Sequence, residues 1–389
     1  MLWSLAIGST LILGWIYDGY GRALAVLCWF RRTRAEAAAE IEAGKNAEQL
    51  PSVTVLITMH NEERAAARRL KNVLACEYPA QLLSVLVASD GSTDGTSSIV
   101  REFMKADARV QLMESPGLGK TATQNLAIGQ IASDVIVFSD ADTEFRPDWL
   151  LRVARRFADP NVGAVDGRLS FQSGVAGTVQ ASEGRYWTYE MRVRDLESRL
   201  GILAVVSGAA FALRRSAFVP MDPSIGEDCI VPLDVVSQGL RVEHDAGAIA
   251  YDQFLPDTSA KLRQRIRMTL RNWQGTWSRP RLLNPLRHPG YAFALWSHKL
   301  LRWLSPVFLM TAVLSSVLLL ISAPSPASGL MMFPWAMLFL LAALHAISGG
   351  RRLVPGSGAA WGFLLANLAF LTGVLQAIAG KRVRAYRNV

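Results

Sequence analysis

Two aspartates one residue apart, Asp140 and Asp142, follow the short apolar run Val135 to Phe138. The run reads as a buried strand, which puts both carboxylates at its C-terminal end, where open parallel sheets bind ligands. With no basic residue between them they repel each other unless a cation joins them. Carboxylate oxygens suit Mg²⁺ or Mn²⁺, and Mg²⁺ commonly completes its shell with oxygens of a bound phosphate. The chemistry on offer is therefore a metal site for a nucleotide diphosphate. The same residues would also serve as a solvated turn before the helix that starts near Pro147-Asp148-Trp149. Spacing alone leaves both readings open.

The elements that must hold this pair alternate. Strands are expected at Val53 to Thr58, Leu83 to Ala88, Val110 to Glu114 and Val135 to Phe138, with helices at Glu62 to Ala75, Ser97 to Lys105 and Lys120 to Gln130. Such β-α alternation implies a mainly parallel sheet with helices on both faces. Each strand ends in polar residues: His60-Asn61-Glu62, Ser89-Asp90-Gly91, Ser115-Pro116-Gly117 and Asp140-Ala141-Asp142. These four ends share one edge, where a nucleotide would lie. Gly117-Leu118-Gly119-Lys120-Thr121 imitates a phosphate-binding loop but has Glu114 where the first glycine belongs, so an ordinary P-loop is excluded. The pattern then turns mixed, with strands at Gly163 to Ser170, Ile202 to Ser207, Ala210 to Leu213 and Val242 to Tyr251, and helices at Glu183 to Leu200 and Ile230 to Gly239.

Charge is segregated along the 389 residues. The chain carries 41 Lys+Arg and 32 Asp+Glu, but from residue 258 onward there are 16 basic residues and no acidic one. A basic tail rich in Trp and Leu points to a membrane surface and away from nucleic acid. Residues 2–30 are nearly uncharged and are followed by Arg31-Arg32-Thr33-Arg34, which orients them as an anchor with the next domain in the cytoplasm. Three further apolar runs, about 304–322, 330–348 and 358–379, are each near the ~20 residues that cross a bilayer. The chain thus divides into an anchor (1–30), a linker (31–50), a catalytic domain (51–257), basic and interfacial helices (258–303) and a membrane region (304–389). If all four runs span, Lys381-Arg382 falls outside against the positive-inside tendency, so one run is expected to lie in the plane or re-enter. Cys28, Cys76 and Cys229 lack metal or redox spacing, as suits a reducing compartment.

In order, the strand ends and later clusters run His60-Asn61-Glu62, Asp90-Gly91-Ser92, Gly119-Lys120-Thr121, Asp140-Ala141-Asp142, Ser207-Gly208-Ala209, Gly226-Glu227-Asp228 and Gln264-Arg265-Ile266-Arg267. This series, over residues 50–280 and flanked by membrane segments, resembles the membrane-bound glycosyltransferases of family 2, the group of the cellulose, hyaluronan and poly-N-acetylglucosamine synthases. The resemblance implies an α/β fold of the GT-A, Rossmann-like type and a nucleotide-sugar donor, with UDP-sugars first. By position, Glu62 and Asp90 would hold the nucleoside and Lys120 would contact the donor near its phosphates. Asp140 and Asp142 would bind Mg²⁺ or Mn²⁺ and the diphosphate, and Asp228, beside Glu227, would be the general base. Gln264 and Arg267 would match the Gln-x-x-Arg part of the Gln-x-x-Arg-Trp motif. Ser207, Gly208, Met268 and Trp273 would fall on the acceptor side.

Two departures stand out. Gly226 replaces Thr or Ser, and Met268 replaces the Trp that serves the family as a platform for the acceptor sugar. Trp273 lies one and a half turns further on. The implied enzyme is an inverting transferase in a multi-pass inner-membrane protein. It would extend a polysaccharide, with room for export or assembly subunits, or glycosylate a membrane lipid once. A nucleotidyltransferase would also use paired aspartates but gives no reason for a Gln-x-x-Arg helix beside membrane spans. A scaffold with a degenerate site predicts that Asp142 and Asp228 are dispensable.

Overall fold

The computed structural model describes residues 1–30, 49–172, 178–253, 258–349 and 354–383. The linker expected over 31–50 lies outside these apart from Gln49 and Leu50. The chain opens with helix α1 (Leu2–Phe30), which includes a π-helical stretch at Trp15–Gly19. Then β1 (Val53–Met59), α2 (Glu63–Leu74), β2 (Leu83–Asp90), α3 (Thr96–Ala106), β3 (Val110–Ser115), α4 (Lys120–Ile128) and β4 (Val135–Ser139) follow in strict alternation. β1 is buried at all seven positions, because helices cover both faces of a parallel strand and no residue can be spared for solvent. It pairs in parallel with β2 and with β4, and β2 pairs in parallel with β3.

The second half builds on the β4 edge. It contains β5 (Glu144–Phe145), α5 (Trp149–Arg156), β6 (Val162–Gln172), α6 (Thr178–Arg199), β7 (Ala210–Arg214), α7 (Glu227–Ser237) and β8 (Arg241–Gln253). The eight strands lie in the order β3-β2-β1-β4-β7-β6-β8-β5. β7 runs antiparallel to both β4 and β6, while β6 and β8 are parallel. One face of the sheet packs on α2, α3 and α5 through Leu70, Val73, Val100, Trp149 and Val153. The other packs on α4 and α7, with Phe138 and Phe211 stacked at 4.6 Å between centroids. Truncating either ring to Ala would cost about 3–5 kcal/mol.

Residues Ile202 to Ser207, expected as a strand, are not one. The Ser207 amide donates to Asp166 Oδ1 at 2.7 Å, so a side chain of β6 takes a donor that a ladder would need.

After β8, α8 (Thr258–Ser278) leads to α9 (Pro289–Ala294), which continues through a π-helical stretch, Leu295–Leu300, to Trp303. Of the polar and charged residues expected at an interface here, His298, Lys299 and Arg302 turn inward, while Arg287 is exposed. His298 and Arg302 are buried and both reach Glu190 of α6, with His298 also bonded to Glu197. Carboxylates waiting inside offset the cost of burying the Arg302 guanidinium. Next come α10 (Ser305–Ser322), α11 (Pro326–Ile347) and α12 (Ser357–Ile378). With α1 they are four helices long and apolar enough to cross a membrane. Leu314, Leu318, Ile321, Leu330, Leu340 and Leu375 point outward, as lipid-facing side chains do. α12 lies directly on α8 at Gly373, where a Cβ would stand 2.7 Å from Thr269 Cβ and 2.9 Å from the Ile266 carbonyl.

Candidate active site

The Asp140 loop is braced from beneath. Arg69 falls on the apolar face of α2, between Ala66 and Val73, and is fully buried. Its guanidinium donates to Ser139 Oγ at 2.7 Å and lies 4.0 Å over the Phe145 ring. Asn72 exchanges bonds with the Phe145 backbone. Burial lowers Arg69 to about 10, with Cys76 and Asp140 opposing, so it stays charged at neutral pH behind the two aspartates. A charged residue at a core position of a helix was the sequence signal for this brace.

Asp90 ends β2 and is also buried. It accepts from Ser115 Oγ, Thr123 Oγ1 and the amides of Leu118 and Gly119 at 2.7–2.9 Å. These bonds tie the Pro116–Gly119 turn to the sheet edge, where Gly91 (φ +66°) lets a Cβ-free backbone approach Gly117. The turn delivers Lys120 as the first residue of α4. Lys120 Nζ bonds Asp140 Oδ1 at 2.5 Å and also pairs with Glu227 Oε1. One ammonium thereby joins two sequence motifs that are far apart in the chain.

Glu227 and Asp228 open α7. Burial pushes Glu227 up, but Lys120 and Arg271 outweigh it and hold it below the ordinary carboxylate range. Burial and the neighbouring Glu227 charge push Asp228 up, against Arg271. Two adjacent carboxylates are thus driven apart, one kept ionised and the other suited to take a proton. Asp228 Oδ1 accepts from the Cys229 thiol at 3.3 Å. Two glycines leave it room. A Cβ on Gly208 would lie 3.3 Å from Asp228 Cβ, and one on Gly226 would lie 2.7 Å from Asp228 Oδ1 and 3.2 Å from Arg271 Cζ. Arg271 on α8 donates to Thr121 Oγ1 at 3.1 Å and has a buried Nε that finds no protein acceptor. Arg271 is seated against the Glu227-Asp228 pair, and Arg267, favoured from the sequence for the diphosphate, lines the same cavity.

All of this opens on a cavity of about 1100 Å³. Of the residues singled out from sequence, Glu62, Lys120, Asp140, Asp142, Ser207, Gly208, Glu227, Asp228, Gln264, Arg267 and Met268 line it. Asp90 and Trp273 do not. Asp90 stands behind the wall, and Trp273 packs against Trp277 and Trp303, of which Trp303 lines the cavity. Trp187 and Tyr189 also reach it, while the side chain of Tyr186 lies outside the described residues. A buried network that sequence reasoning missed supports the Ser207 wall. Arg194 bonds Asp166, Ser207 and Glu190, and His244 also faces Asp166.

Among the described residues no three His, Cys, Asp or Glu side chains converge as a metal cage. The carboxylates nevertheless suit a shared ion. Burial, then Asp142 and Asp140, raise Glu62, and burial, with Glu227 and Asp142, raises Asp140 despite Lys120. Crowded carboxylates with one exposed member, Asp142, fit a divalent cation that takes its other oxygens from a phosphate and water.

Comparison with known proteins gives concordant results. The sequence model of "Glycosyl transferase family 2" matches residues 54–219. An N-acetylglucosaminyltransferase of Rhizobium meliloti is 28% identical over 321 residues, 77% of this chain and 71% of the relative. An N-acetylglucosaminyltransferase of Rhizobium leguminosarum bv. trifolii is 32% identical over 174 residues, 43% of this chain and 92% of the relative. Among solved structures, the mannosyltransferase PcManGT from Pyrobaculum calidifontis, in complex with GDP-Man and Mn²⁺, superposes with a TM-score of 0.71. It is 20% identical and the match covers 98% of this chain and 100% of that one, a likeness of fold.

Proposed function

This chain belongs to glycosyl transferase family 2, and on that premise we propose that it moves a sugar, with inversion, from a nucleotide-diphosphate donor to an acceptor hydroxyl at the cytoplasmic face of a membrane. The observation that carries the reading is Lys120, whose ammonium bridges Asp140 of the Asp-Ala-Asp turn and Glu227 beside Asp228. The reading takes that contact as the link between the leaving-group end and the base end of a displacement. The relatives' names make UDP-N-acetylglucosamine the first donor to try.

In this reading Asp142, with Asp140, would hold Mg²⁺ or Mn²⁺, which would supply positive charge to the departing diphosphate. Asp228 takes the proton of the acceptor hydroxyl as its oxygen bonds the anomeric carbon. The bond from that carbon to the diphosphate oxygen breaks with its electron pair leaving on the nucleoside diphosphate. Lys120, Arg271 and Arg267 face the charge that develops. Glu62 borders the donor, and Asp90 acts through the turn it clamps. A single base and direct displacement give inversion. The Arg31-Arg32-Thr33-Arg34 cluster after α1 supports the cytoplasmic side.

The test is a screen of nucleotide sugars with detergent-purified protein, reading nucleoside diphosphate release with Mn²⁺, Mg²⁺ or a chelator. Metal-dependent release from at least one donor is expected. No release from any donor, with membrane lipids and oligosaccharides both present, refutes the assignment.

A further inference from the structure

The cavity does not end at the reaction centre. Its wall can be followed residue by residue. Gly208 sits against Asp228, and its neighbour Ser207 accepts from Arg194 Nη1 at 2.8 Å. Arg194 reaches Glu190 at 3.2 Å, and Glu190 receives Arg302 at 2.8 Å and Lys299 at 3.4 Å. One turn beyond Arg302, Ser305 donates to Asn367 of α12 at 2.7 Å and meets Tyr17 of α1 at 2.9 Å. The wall therefore runs from the base to the helices that suit a bilayer.

Three chemical groups make up its lining. At the base end Asp140, Asp142, Glu227 and Asp228 meet Lys120 and Arg271. Lys261, Arg265 and Arg267 of α8, and Lys299 and Arg302 beside Glu190, also line it, with Arg194, Glu190 and Asp252 among them. At the far end Ala359, Gly362, Phe363, Ala366 and Phe370 line the cavity. They recur at helical spacing, so they form one face of α12, the span Ser357–Ile378. None of the five side chains can accept or donate a hydrogen bond. Asn367 beside them is already bonded to Ser305 and to the Phe363 carbonyl. A sugar chain drawn along this face would leave hydroxyls unpaired, which is costly. A hydrocarbon chain would not.

We propose that the acceptor is a membrane lipid whose head carries a sugar on a phosphate or diphosphate. This rests on the transferase reading above. The hydrocarbon chain lies on the Ala359–Phe370 face of α12, the phosphate sits among Lys261, Arg265, Arg267, Lys299 and Arg302, and the sugar hydroxyl reaches Asp228. That hydroxyl oxygen forms the new bond to the donor's anomeric carbon and gives its proton to Asp228, while the nucleoside diphosphate leaves with the electron pair of the broken bond. A base at Asp228 suits a hydroxyl nucleophile, which a sugar carried on the lipid phosphate supplies.

The experiment gives the purified protein a labelled nucleotide sugar and three acceptors bearing the same N-acetylglucosamine head. They are a long-chain alkyl diphosphate-linked sugar, the neutral alkyl glycoside of equal chain length, and the free oligosaccharide. We expect kcat/KM for the diphosphate-linked lipid to exceed that for the neutral glycoside by about tenfold, the loss typical of a charge-assisted contact, and the free oligosaccharide to be poorest. Ala366→Trp, which fills the apolar end, should cut transfer to both lipids about tenfold while Leu368→Trp, on the exposed side of α12, does not. Lys261→Gln should raise KM for the diphosphate-linked lipid and not for the neutral glycoside, a readout that survives if Ala366→Trp fails to fold. Equal use of the free oligosaccharide, or a neutral glycoside as good as the charged lipid, overturns the proposal and leaves the transferase reading standing. Absence of turnover with every donor, hydrolysis to water included, removes both.

Discussion

Gly226 offers a test in which restoring the common family residue should do harm. The family pattern has Ser or Thr before Glu-Asp, and this chain has Gly. A Cβ added at 226 would stand 2.7 Å from Asp228 Oδ1 and 3.2 Å from Arg271 Cζ. Ordinary contact begins near 3.5 Å, so the carboxylate must move by roughly 0.8 Å. The backbone cannot yield easily, because the Gly226 carbonyl accepts from the amides of Cys229 and Ile230 in the first turn of α7. Room comes only by turning Asp228 or lifting Arg271, and both belong to the proposed machinery. A misplacement of about 1 Å costs on the order of 10²-fold in rate. Gly226→Ser is therefore expected to lower kcat between about 10- and 100-fold, with donor KM changed far less, because Glu62 and the turn clamped by Asp90 lie elsewhere. Nucleoside diphosphate release under saturating donor measures it, with the melting temperature as a check on folding. A Gly226→Ser enzyme whose kcat stays within twofold of the native value would show that Asp228 tolerates displacement, and the base assignment would fall with the geometry behind it.

Three further outcomes are expected. Asp228→Asn should lower kcat by about 10²–10⁴-fold while donor binding, followed by calorimetry, persists; retained turnover would place the base elsewhere. Asp228 must be ionised to accept a proton and its pKa is raised by burial and Glu227, so kcat should fall with decreasing pH from above the ordinary aspartate range. Arg271→Gln removes the opposing charge and should move that acid limb upward, whereas an unmoved limb would detach it from Asp228. Asp166 is buried, and Arg194, His244 and the Ser207 amide outweigh its desolvation and hold its pKa below the usual value. Its contribution is present above the unfolded-state value near 3.9 and is lost as pH falls through the lower folded value. Asp166→Asn, which strands Arg194, should cost about 3–5 kcal/mol at neutral pH, read by thermal unfolding in detergent, and this loss should shrink toward acid pH; a loss independent of pH would contradict the paired-charge account.

Much of the architecture was legible because it is written in local patterns. A fully buried parallel strand must be a continuous apolar run, and a ligand edge must be polar, so Val53–Met59, Val135–Ser139 and their carboxylate endings declared themselves. The apolar runs did so by length and hydropathy, and among the described residues four helices long and apolar enough to cross a membrane stand on them. Eleven of the thirteen chosen site residues line one cavity: strand ends and the start of α4 bring Glu62, Asp140, Asp142 and Lys120 to one sheet edge, and α7 and α8 bring Glu227, Asp228, Gln264, Arg267 and Met268 to it. Partnerships between distant side chains carried no such pattern. Nothing in the order of residues says that Asp90 gives its carboxylate to the Leu118 and Gly119 amides, that Arg271 sits against Glu227-Asp228, or that Trp273 turns to Trp303. Nor does it say that His298, Lys299 and Arg302 meet Glu190, or that His298 also meets Glu197. Residue type determined which chemistry the chain holds. The packing of α7, α8 and α12 decided which carboxylate meets which cation and where the cavity ends, because burial and distance are properties of the folded chain and set both charge state and reach.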